Sequence, residues 1–308
     1  MSHSFPEVRF SRPGRQPHPA DLRGRVAVMD ISFDGDHPDR DLIWAEQLGE
    51  RLVLWIDHHD QLIWEKLTDD SRFVLVPRID APACPPLITQ ELVDKHGPVD
   101  TLLCHGDLDG VLSAAKWSLL QAGLPCPDWL DPDSVVADSR MGEFTPRGAR
   151  LDEALRGGND ATRRAIVASV LAEAQGEEEP SYAKSNIDRA QGRHQVAIRN
   201  TNTLMESATF LDDIPEDAVV VDIRHNTTRA DLTHLLLSLQ KVHDWVVVFA
   251  RGKNQTDKIL VGTDPAHSGL DLRSEFDLQG FAPFRVHVSP HALVNRLPSR
   301  TLQRYLRR

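Results

Sequence analysis

The sequence predicts an α/β protein in which a mostly parallel sheet carries helices on both faces. Short apolar runs alternate with stretches of helical character over residues 25–175, and this alternation is typical of parallel sheets. Several of the apolar runs are followed at once by carboxylate or imidazole side chains. Because open parallel sheets form ligand sites outside the carboxyl ends of their strands, the same pattern predicts where a functional site lies.

The elements of the first half follow a strand and helix alternation. The first predicted strand, 26–29, ends at Asp30, and a helix around 41–50 leads to a second strand at 51–56. Together these elements form a βαβ unit. The next predicted elements are a strand at 73–76, a helix at 85–96, a strand at 100–104, and helices at 111–122 and within 151–175.

Composition shifts divide the chain into an arm and two domains. Residues 1–24 contain several prolines and no apolar period, so they are predicted to form an extended amino-terminal arm. A polar, glycine-containing segment at 176–180 marks a domain boundary. We therefore expect a catalytic metal-binding domain at 25–178. A smaller α/β domain with a helical linker is expected at 179–308, with strands at 218–221, 245–249 and 259–261 and a helix at 230–242.

Charge and hydropathy exclude several classes of protein. The formal net charge of −11 over 308 residues disfavours a broad surface that coats long nucleic acid. No apolar run approaches the roughly 20 residues that span a bilayer, and the sequence begins without a signal-peptide pattern, so a cytoplasmic location without membrane attachment is expected. The three cysteines, Cys84, Cys104 and Cys126, are predicted to be reduced thiols because their number is odd and they lack zinc-finger spacing.

The polar residues after the apolar runs favour metal binding when they are taken together. A single Asp after a strand, such as Asp30 or Asp138, is ordinarily a helix cap or a loop hydrogen-bonder. The triplet 57–59, Asp-His-His, is more specific, because an Asp can orient an imidazole through one ring nitrogen while the other binds metal. The segment 105–110, His-Gly-Asp-Leu-Asp-Gly, spaces two carboxylates so that both can point the same way. So many like charges at one sheet edge require cations.

These motifs resemble those of the DHH phosphoesterase superfamily. This superfamily contains RecJ-like exonucleases, nanoRNase-type oligonucleotide hydrolases, cyclic-dinucleotide phosphodiesterases and manganese pyrophosphatases. Residues 28–30 and 55–59 resemble its second and third motifs, 136–139 its fourth and 105–110 its first. Here the first motif follows the third, which we interpret as a circular permutation, because a site at strand ends depends on which strands are adjacent.

The resemblance implies two divalent metal ions. Manganese suits a mixed imidazole and carboxylate site, and magnesium or cobalt are possible substitutes. Asp30 would bridge the ions, and His105 is either a ligand or a substrate contact. A pair of ions would supply a water of lowered pKa as the nucleophile for phosphorus. The implied ligands are Asp30, His58, His105, Asp107, Asp109 and Asp138.

The resemblance also implies residues that contact substrate. Asp57 would orient the two histidines, and His59 would donate a hydrogen bond to phosphate. The segment 270–274 resembles a short strand of the family's second domain that carries a substrate-binding Arg. The Gly-rich loop that usually follows is degenerate here, at 280–284 with His287. The predicted substrate-binding arginines are Arg140, Arg224 and Arg273.

The predicted function is a manganese-dependent phosphodiesterase that hydrolyses short oligonucleotides or nucleotides. Modest size and negative charge favour a short substrate over long nucleic acid. One alternative is a RecJ-like exonuclease acting on single-stranded nucleic acid. Another is a catalytically retired sensor of nucleotide or metal, against which the complete set of site residues argues. A homodimer is compatible with each of these hypotheses.

Overall fold

The computed structural model describes residues 5–35, 37–251, 257–278 and 283–307. The chain divides into two compact units, Met1–Arg193 and His194–Arg308. The division falls inside the long helix that the sequence predicted as a linker, and not at residue 178. Among the described residues, every helix is too short or too polar to cross a bilayer.

The first unit alternates strands with helices, as the sequence predicts. Its strands are β1 (Glu7–Ser11), β2 (Val26–Met29), β3 (Leu52–Asp57), β4 (Phe73–Leu75) and β5 (Thr101–His105). Its α-helices are α1 (Pro38–Leu48), α2 (Gln90–His96), α3 (Leu108–Gln121), α4 (Leu130–Ser139), α5 (Pro146–Gly157) and α6 (Asp160–Ala174). Helix α7 (Ser181–Met205) runs across the division between the units, and short 3-10 turns lie at Pro19–Asp21, Gly49–Arg51, Leu62–Lys66 and Pro85–Leu87.

The strands of this unit form one parallel sheet in the order β1-β5-β2-β3-β4. Successive side chains of β2 enter different cores: Ala27 and Met29 pack with α3 and α6, whereas Val26 and Val28 pack with α1. Both faces are therefore covered, which is why strands such as β2 are apolar at every position. This arrangement confirms the predicted α/β class.

Strand β1 lies within the segment 1–24, for which no regular structure was predicted. It pairs in parallel with β5, from Glu7 opposite Thr101 to Ser11 opposite His105. As the edge strand it has one neighbour, and it alternates polar and apolar residues over only a few positions. That short alternation, followed by prolines, is a weak strand signal.

The apolar run before Asp138 belongs to a helix, so the expectation of a strand end at this position is wrong. Val135 and Val136 are β-branched and favour strands in isolation. Leu130 and Ala137 of the same segment are buried in the core beside the sheet. This tertiary packing outweighs the local preference, and Asp138 lies in the last turn of α4.

The second unit contains a mixed sheet in the order β10-β9-β8-β7-β6. Its strands β7 and β8 are parallel, and the other neighbouring pairs are antiparallel. Its strands are β6 (Thr209–Phe210), β7 (Ala218–Asp222), β8 (Trp245–Arg251), β9 (Asp257–Gly262) and β10 (Arg285–Val288). Its helices are α8 (Leu232–Leu239), α9 (Pro265–Ser268), α10 (Leu272–Phe276), α11 (Pro290–Arg296) and α12 (Arg300–Leu306).

The segment 270–274, predicted as a strand, is instead the start of helix α10. Asp271 is its N-cap, and its side chain accepts a hydrogen bond from the backbone N–H of Arg273. A cap of this kind satisfies a free N–H of the first turn and so favours a helix. Of the predicted Gly-rich loop, residues 280–282 lie outside the described residues.

Candidate metal centre

The carboxyl ends of β2, β3 and β5 bring the predicted motifs together at one edge of the parallel sheet. Strand β2 lies between β5 and β3, so Asp30 at its end is flanked by the polar segments that follow both neighbours. The backbone N–H of Asp30 donates to the carbonyl of Ile56 (2.9 Å), and Asp30 has a φ of 58°. This left-handed conformation, which Asp tolerates better than most residues, turns the chain at the strand end.

Asp30 and His58 connect the potential metal-binding side chains of this edge. The three groups that could hold an ion are Asp30 with His58 and His59, Asp30 with His105 and Asp107, and His58 with Asp109 and Asp138. Within each group the potential ligand atoms lie within 4.8 Å of one another. Asp30 belongs to the first two groups, and His58 to the first and third. The groups include all the residues predicted as ligands.

Several atoms of this cluster are buried without hydrogen-bond partners in the described part of the chain: both carboxylate oxygens of Asp30, Oδ2 of Asp57 and Nε2 of His58. His58 Nε2 lies 3.3 Å from Asp30 Oδ1 and 3.3 Å from Asp109 Oδ2. Buried carboxylates left without partners are costly, and a bound cation is a usual remedy. The donor set of carboxylate and imidazole fits a borderline divalent ion such as manganese.

The two histidines of the Asp-His-His triplet are held by different partners. His58 Nδ1–H donates to the backbone carbonyl of Ala81 (2.9 Å), which turns Nε2 toward the carboxylates. His59 Nδ1–H donates to Asp57 Oδ1 (2.7 Å). The structure therefore shows Asp57 in contact with His59, whereas a backbone carbonyl orients His58. Such contacts select the tautomer that leaves the other ring nitrogen available.

The segment after β5 is shaped by the first turn of α3. Asp107 is the N-cap of this helix: one oxygen accepts from the N–H of Gly110 (3.1 Å) and the other lies 2.7 Å from His105 Nδ1. At Gly110 a Cβ would lie 2.5 Å from the carbonyl oxygen of His105, so a larger residue would push the segment out of place. Arg163 of α6 donates through Nε to the carbonyl of Gly106 (2.6 Å) and holds the segment from outside.

The cluster is electrostatically unfavourable without a cation. Burial raises the pKa of Asp30 well above its usual value, and the charges of Asp109 and Asp107 add to the effect. Burial also raises the pKa of Asp109 to about 6, against the opposing effect of His58. Burial lowers the pKa of His58, but the carboxylates of Asp109 and Asp30 outweigh burial and raise it to about 12. All these shifts favour the addition of positive charge.

Arg78 is a further cation at this site that sequence reasoning missed. Its guanidinium contacts Asp138 Oδ2, and both side chains are largely buried. The backbone N–H of Arg78 also donates to Asp60 Oδ2 (3.2 Å). Arg78 follows β4, which pairs with β3. The argument from strand ends that selected Asp30 and Asp57 could therefore have selected Arg78 as well.

The predicted substrate-binding arginines all lie in ion pairs. Arg140, at the end of α4, donates to Asp152 (3.1 Å). Arg224 is almost fully buried and donates to Asp222, to Asp257 and to the carbonyl of Tyr305.

Arg273, also in the second unit, is half-exposed and pairs with Asp271 (2.7 Å). His287, from the predicted Gly-rich loop region, is an exposed residue of β10.

Comparison with known proteins gives no family assignment. No protein-family model matches the chain, and no curated protein matches it. Among solved structures, a pGpG-specific phosphodiesterase, PggH from Vibrio cholerae, aligns with a TM-score of 0.39 and 10% identity over 92% of this chain and 98% of that chain. An uncharacterised protein from Helicobacter pylori G27 aligns with a TM-score of 0.24 and 12% identity over 88% of this chain and 80% of that chain. Similarities this low carry no functional argument.

Proposed function

We propose that this chain is a divalent-metal-dependent phosphoesterase that hydrolyses phosphoester bonds of short oligonucleotides or nucleotides. The observation that carries the proposal is the position of Asp30. Its two buried oxygens have no hydrogen-bond partner in the described part of the chain, and it belongs to two adjoining ligand groups. A carboxylate shared in this way suits two neighbouring metal ions.

Different residues of the site would bind the metal ions and the substrate. Asp30 would be shared between two ions, and Asp107 and His105 would complete one set of ligands. The other set would consist of His58, Asp109 and Asp138. Manganese is the ion that we propose, on the basis of the mixed donor set. Bound ions would supply a water of lowered pKa and would stabilise the negative charge that develops on phosphate.

Two cationic or hydrogen-bonding side chains of the site would contact the phosphate. The hydrogen bond from His59 Nδ1 to Asp57 Oδ1 (2.7 Å) fixes the ring, so that Nε2 would be the ring atom that contacts the substrate. The Arg78 guanidinium lies against Asp138, a member of the third ligand group. A planar guanidinium binds phosphate oxygens in a bidentate manner. We assign Arg78 and His59 to phosphate binding.

The permuted motif order also belongs to this proposal. Strand β5, which carries the segment 105–110, pairs directly with β2, and β2 pairs with β3, although β5 follows both in the chain. The spatial adjacency of the three motifs therefore does not depend on their order in the sequence. This supports a circularly permuted catalytic domain of the DHH phosphoesterase type.

The proposal is tested by product formation with manganese on a trinucleotide, a long single strand and a cyclic dinucleotide. We expect conversion of the trinucleotide to mononucleotides and loss of this activity in Asp109→Ala. The matched control is Asp133→Asn, since Asp133 is equally buried but bonded to Thr145 N and Oγ1 (2.9 and 2.5 Å). Stepwise shortening of the long strand alone would indicate an exonuclease, and no turnover of any substrate would refute the proposal.

A further inference from the structure

A cavity of about 740 Å³ lies along the free edge of β1, outside the metal centre. Its walls are formed by β1, by the segment that follows it and by α6. The volume is within the range of about 300–1,000 Å³ that is usual for small-molecule sites. Its lining includes Phe10, Arg15, Arg164, Val167, Ala168 and Leu171.

The cavity adjoins the segment 105–107, which carries two of the potential metal ligands. Ser11, which lines the cavity, is opposite His105 in the pairing of β1 with β5. The Arg163 guanidinium carbon lies 5.9 Å from the ring centroid of Phe10, another lining residue. The same Arg163 donates to the carbonyl of Gly106, between His105 and Asp107. The side chain of Arg163 therefore lies between the cavity and the segment that carries the potential metal ligands His105 and Asp107.

The charge of the cavity is positive once the ion pairs of its two lining carboxylates are taken into account. The carboxylate of Glu7 is paired with Arg9 (2.8 Å), and that of Asp160 is paired with Arg163. In the described part of the chain, the exposed residues Arg15 and Arg164 form no ion pair. Two guanidinium groups thus remain at the cavity without a carboxylate partner, which is complementary to phosphate.

The remainder of the lining is apolar. Phe10 is half-buried, Ala168 is half-buried, and Val167 and Leu171 are buried in α6. An apolar wall next to two arginines matches a nucleotide, which has a flat, weakly polar base and sugar attached to an anionic phosphate. Stacking and apolar contacts to a base do not require a particular sequence.

We propose that this cavity binds the nucleotide next to the scissile phosphate of a short single-stranded oligonucleotide. Arg15 and Arg164 contact its phosphate, and Phe10 and Leu171 contact its base and sugar. The inference rests on the proposed function, because the cavity is useful to a phosphoesterase only if the substrate extends beyond the scissile bond. It also gives the edge strand β1 a role in choosing oligonucleotides over simple phosphodiesters.

The kinetic test compares two substrates that differ in length. One is a trinucleotide and the other is bis(4-nitrophenyl) phosphate, which has no nucleotide to place in the cavity. In the double variant Arg15→Ala, Arg164→Ala, the ratio of kcat/KM for the trinucleotide to that for the small diester should fall roughly tenfold, because two charged hydrogen-bond donors to phosphate are removed. Arg23→Ala is the matched control, because Arg23 is exposed and precedes β2, at the amino ends of the strands. An unchanged ratio in the double variant, or an equal fall in Arg23→Ala, would overturn the inference.

A binding test separates the inference from the proposed function. Anisotropy of a labelled trinucleotide with phosphorothioate linkages, which slow hydrolysis, gives Kd as a function of salt. The double variant should bind more weakly, and its slope of log Kd against log salt should fall by about 0.7 for each phosphate that an arginine no longer neutralises. If the wild-type protein hydrolyses neither substrate, the proposed function fails. In that case the assignment of the cavity to oligonucleotide binding is retained if the double variant binds more weakly than the wild-type protein. It is refuted if the two proteins bind equally well.

Discussion

Strands β2 and β7 have nearly the same sequence pattern but opposite electrostatic outcomes. Val26–Met29 is followed by Asp30, and the apolar run Ala218–Val221 ends at Asp222. In the second unit, Arg224 donates to both oxygens of Asp222 (2.9 and 2.7 Å). In the first unit, both oxygens of Asp30 are buried without a hydrogen-bond partner among the described residues. We therefore interpret Asp222, which the protein itself neutralises, as structural, and Asp30 as a candidate metal ligand.

The pKa shifts follow this difference. Burial raises the pKa of both carboxyl groups, but at Asp222 the hydrogen bonds from Arg224 outweigh burial and lower the pKa below its usual value. At Asp30 the neighbouring charges of Asp109 and Asp107 add to burial and together outweigh the opposing effect of His58, so the pKa is well above its usual value. A neutralised carboxylate contributes to stability, whereas an unneutralised one costs stability until a cation binds.

The largest expected effect is that of Asp30→Asn. This change keeps the shape of the side chain and removes the shared negative charge, so we expect phosphodiesterase activity to fall about a thousandfold or more, which corresponds to ~4 kcal/mol. Manganese should raise the melting temperature of the wild-type protein, and this rise should disappear in the variant. Activity assays and thermal scans with manganese or a chelator measure both effects.

Asp133→Asn is the control for this prediction. Asp133 is buried in the same unit, but its oxygens accept hydrogen bonds from Thr145. We expect this variant to lose stability and to keep its response to manganese. Equal loss of the manganese response in the two variants would remove the distinction between partnered and unpartnered carboxylates.

Substitution of Arg224 tests whether the neutralised carboxylate of Asp222 contributes to stability. Its side chain is 3% exposed and it is paired with Asp222 and Asp257, so Arg224→Met should destabilise the second unit by about 3 kcal/mol. Arg273→Ala, which removes a half-exposed pair with Asp271, should cost about 0.5 kcal/mol or less. Urea unfolding followed by tryptophan fluorescence measures both values. Similar losses in the two variants would show that burial does not determine the difference.

Substitution of Arg78 should lower the catalytic rate less than substitution of Asp30. Because its guanidinium lies beside Asp138 and is assigned to phosphate, Arg78→Ala should lower kcat/KM for a trinucleotide about 30-fold, or ~2 kcal/mol. Arg78→Lys should recover part of the loss, since the charge remains without the bidentate geometry. Manganese affinity, measured by calorimetry, should not weaken in either variant. A parallel loss of manganese affinity would mean that Arg78 instead positions the ligand Asp138.

A partnered carboxylate of the first unit, Glu179, should make stability depend on pH. Burial opposes ionisation of Glu179, but Arg150 and Ser169 outweigh it and lower its pKa from 4.5 to about 2. Because the folded-state pKa is the lower one, the stabilisation is complete above pH 4.5 and is lost as the pH falls toward 2. Because solvent screens this partly exposed group, Glu179→Gln should cost about 2 kcal/mol at pH 7, which is less than the full pKa shift implies, and progressively less below pH 4.5. Denaturation at pH 7, 5 and 3.5 compares the two proteins, and a constant difference across this range would contradict the assignment.

The strands at the centre of the parallel sheet were predictable from the sequence. Strands β2, β3 and β5 are buried on both faces, so their residues form continuous apolar runs, and their ends mark Asp30, Asp57 and His105. The edge strand β1 and the helix α4 were not predictable in this way. Edge strands bury fewer residues, and α4 is set by the core that Leu130 and Ala137 enter.

The sequence by itself determined the α/β class and the potential metal ligands that follow β2, β3 and β5, because local hydrophobicity marks buried strands and polar side chains mark their ends. Only the tertiary structure decided which of these residues lack a partner. The patterns that end at Asp30 and Asp222 are alike in the chain, yet Arg224 neutralises Asp222, whereas carboxylates and imidazoles surround Asp30. Partners of this kind depend on which elements are adjacent in space, and the free energy of a buried charge depends on those neighbours.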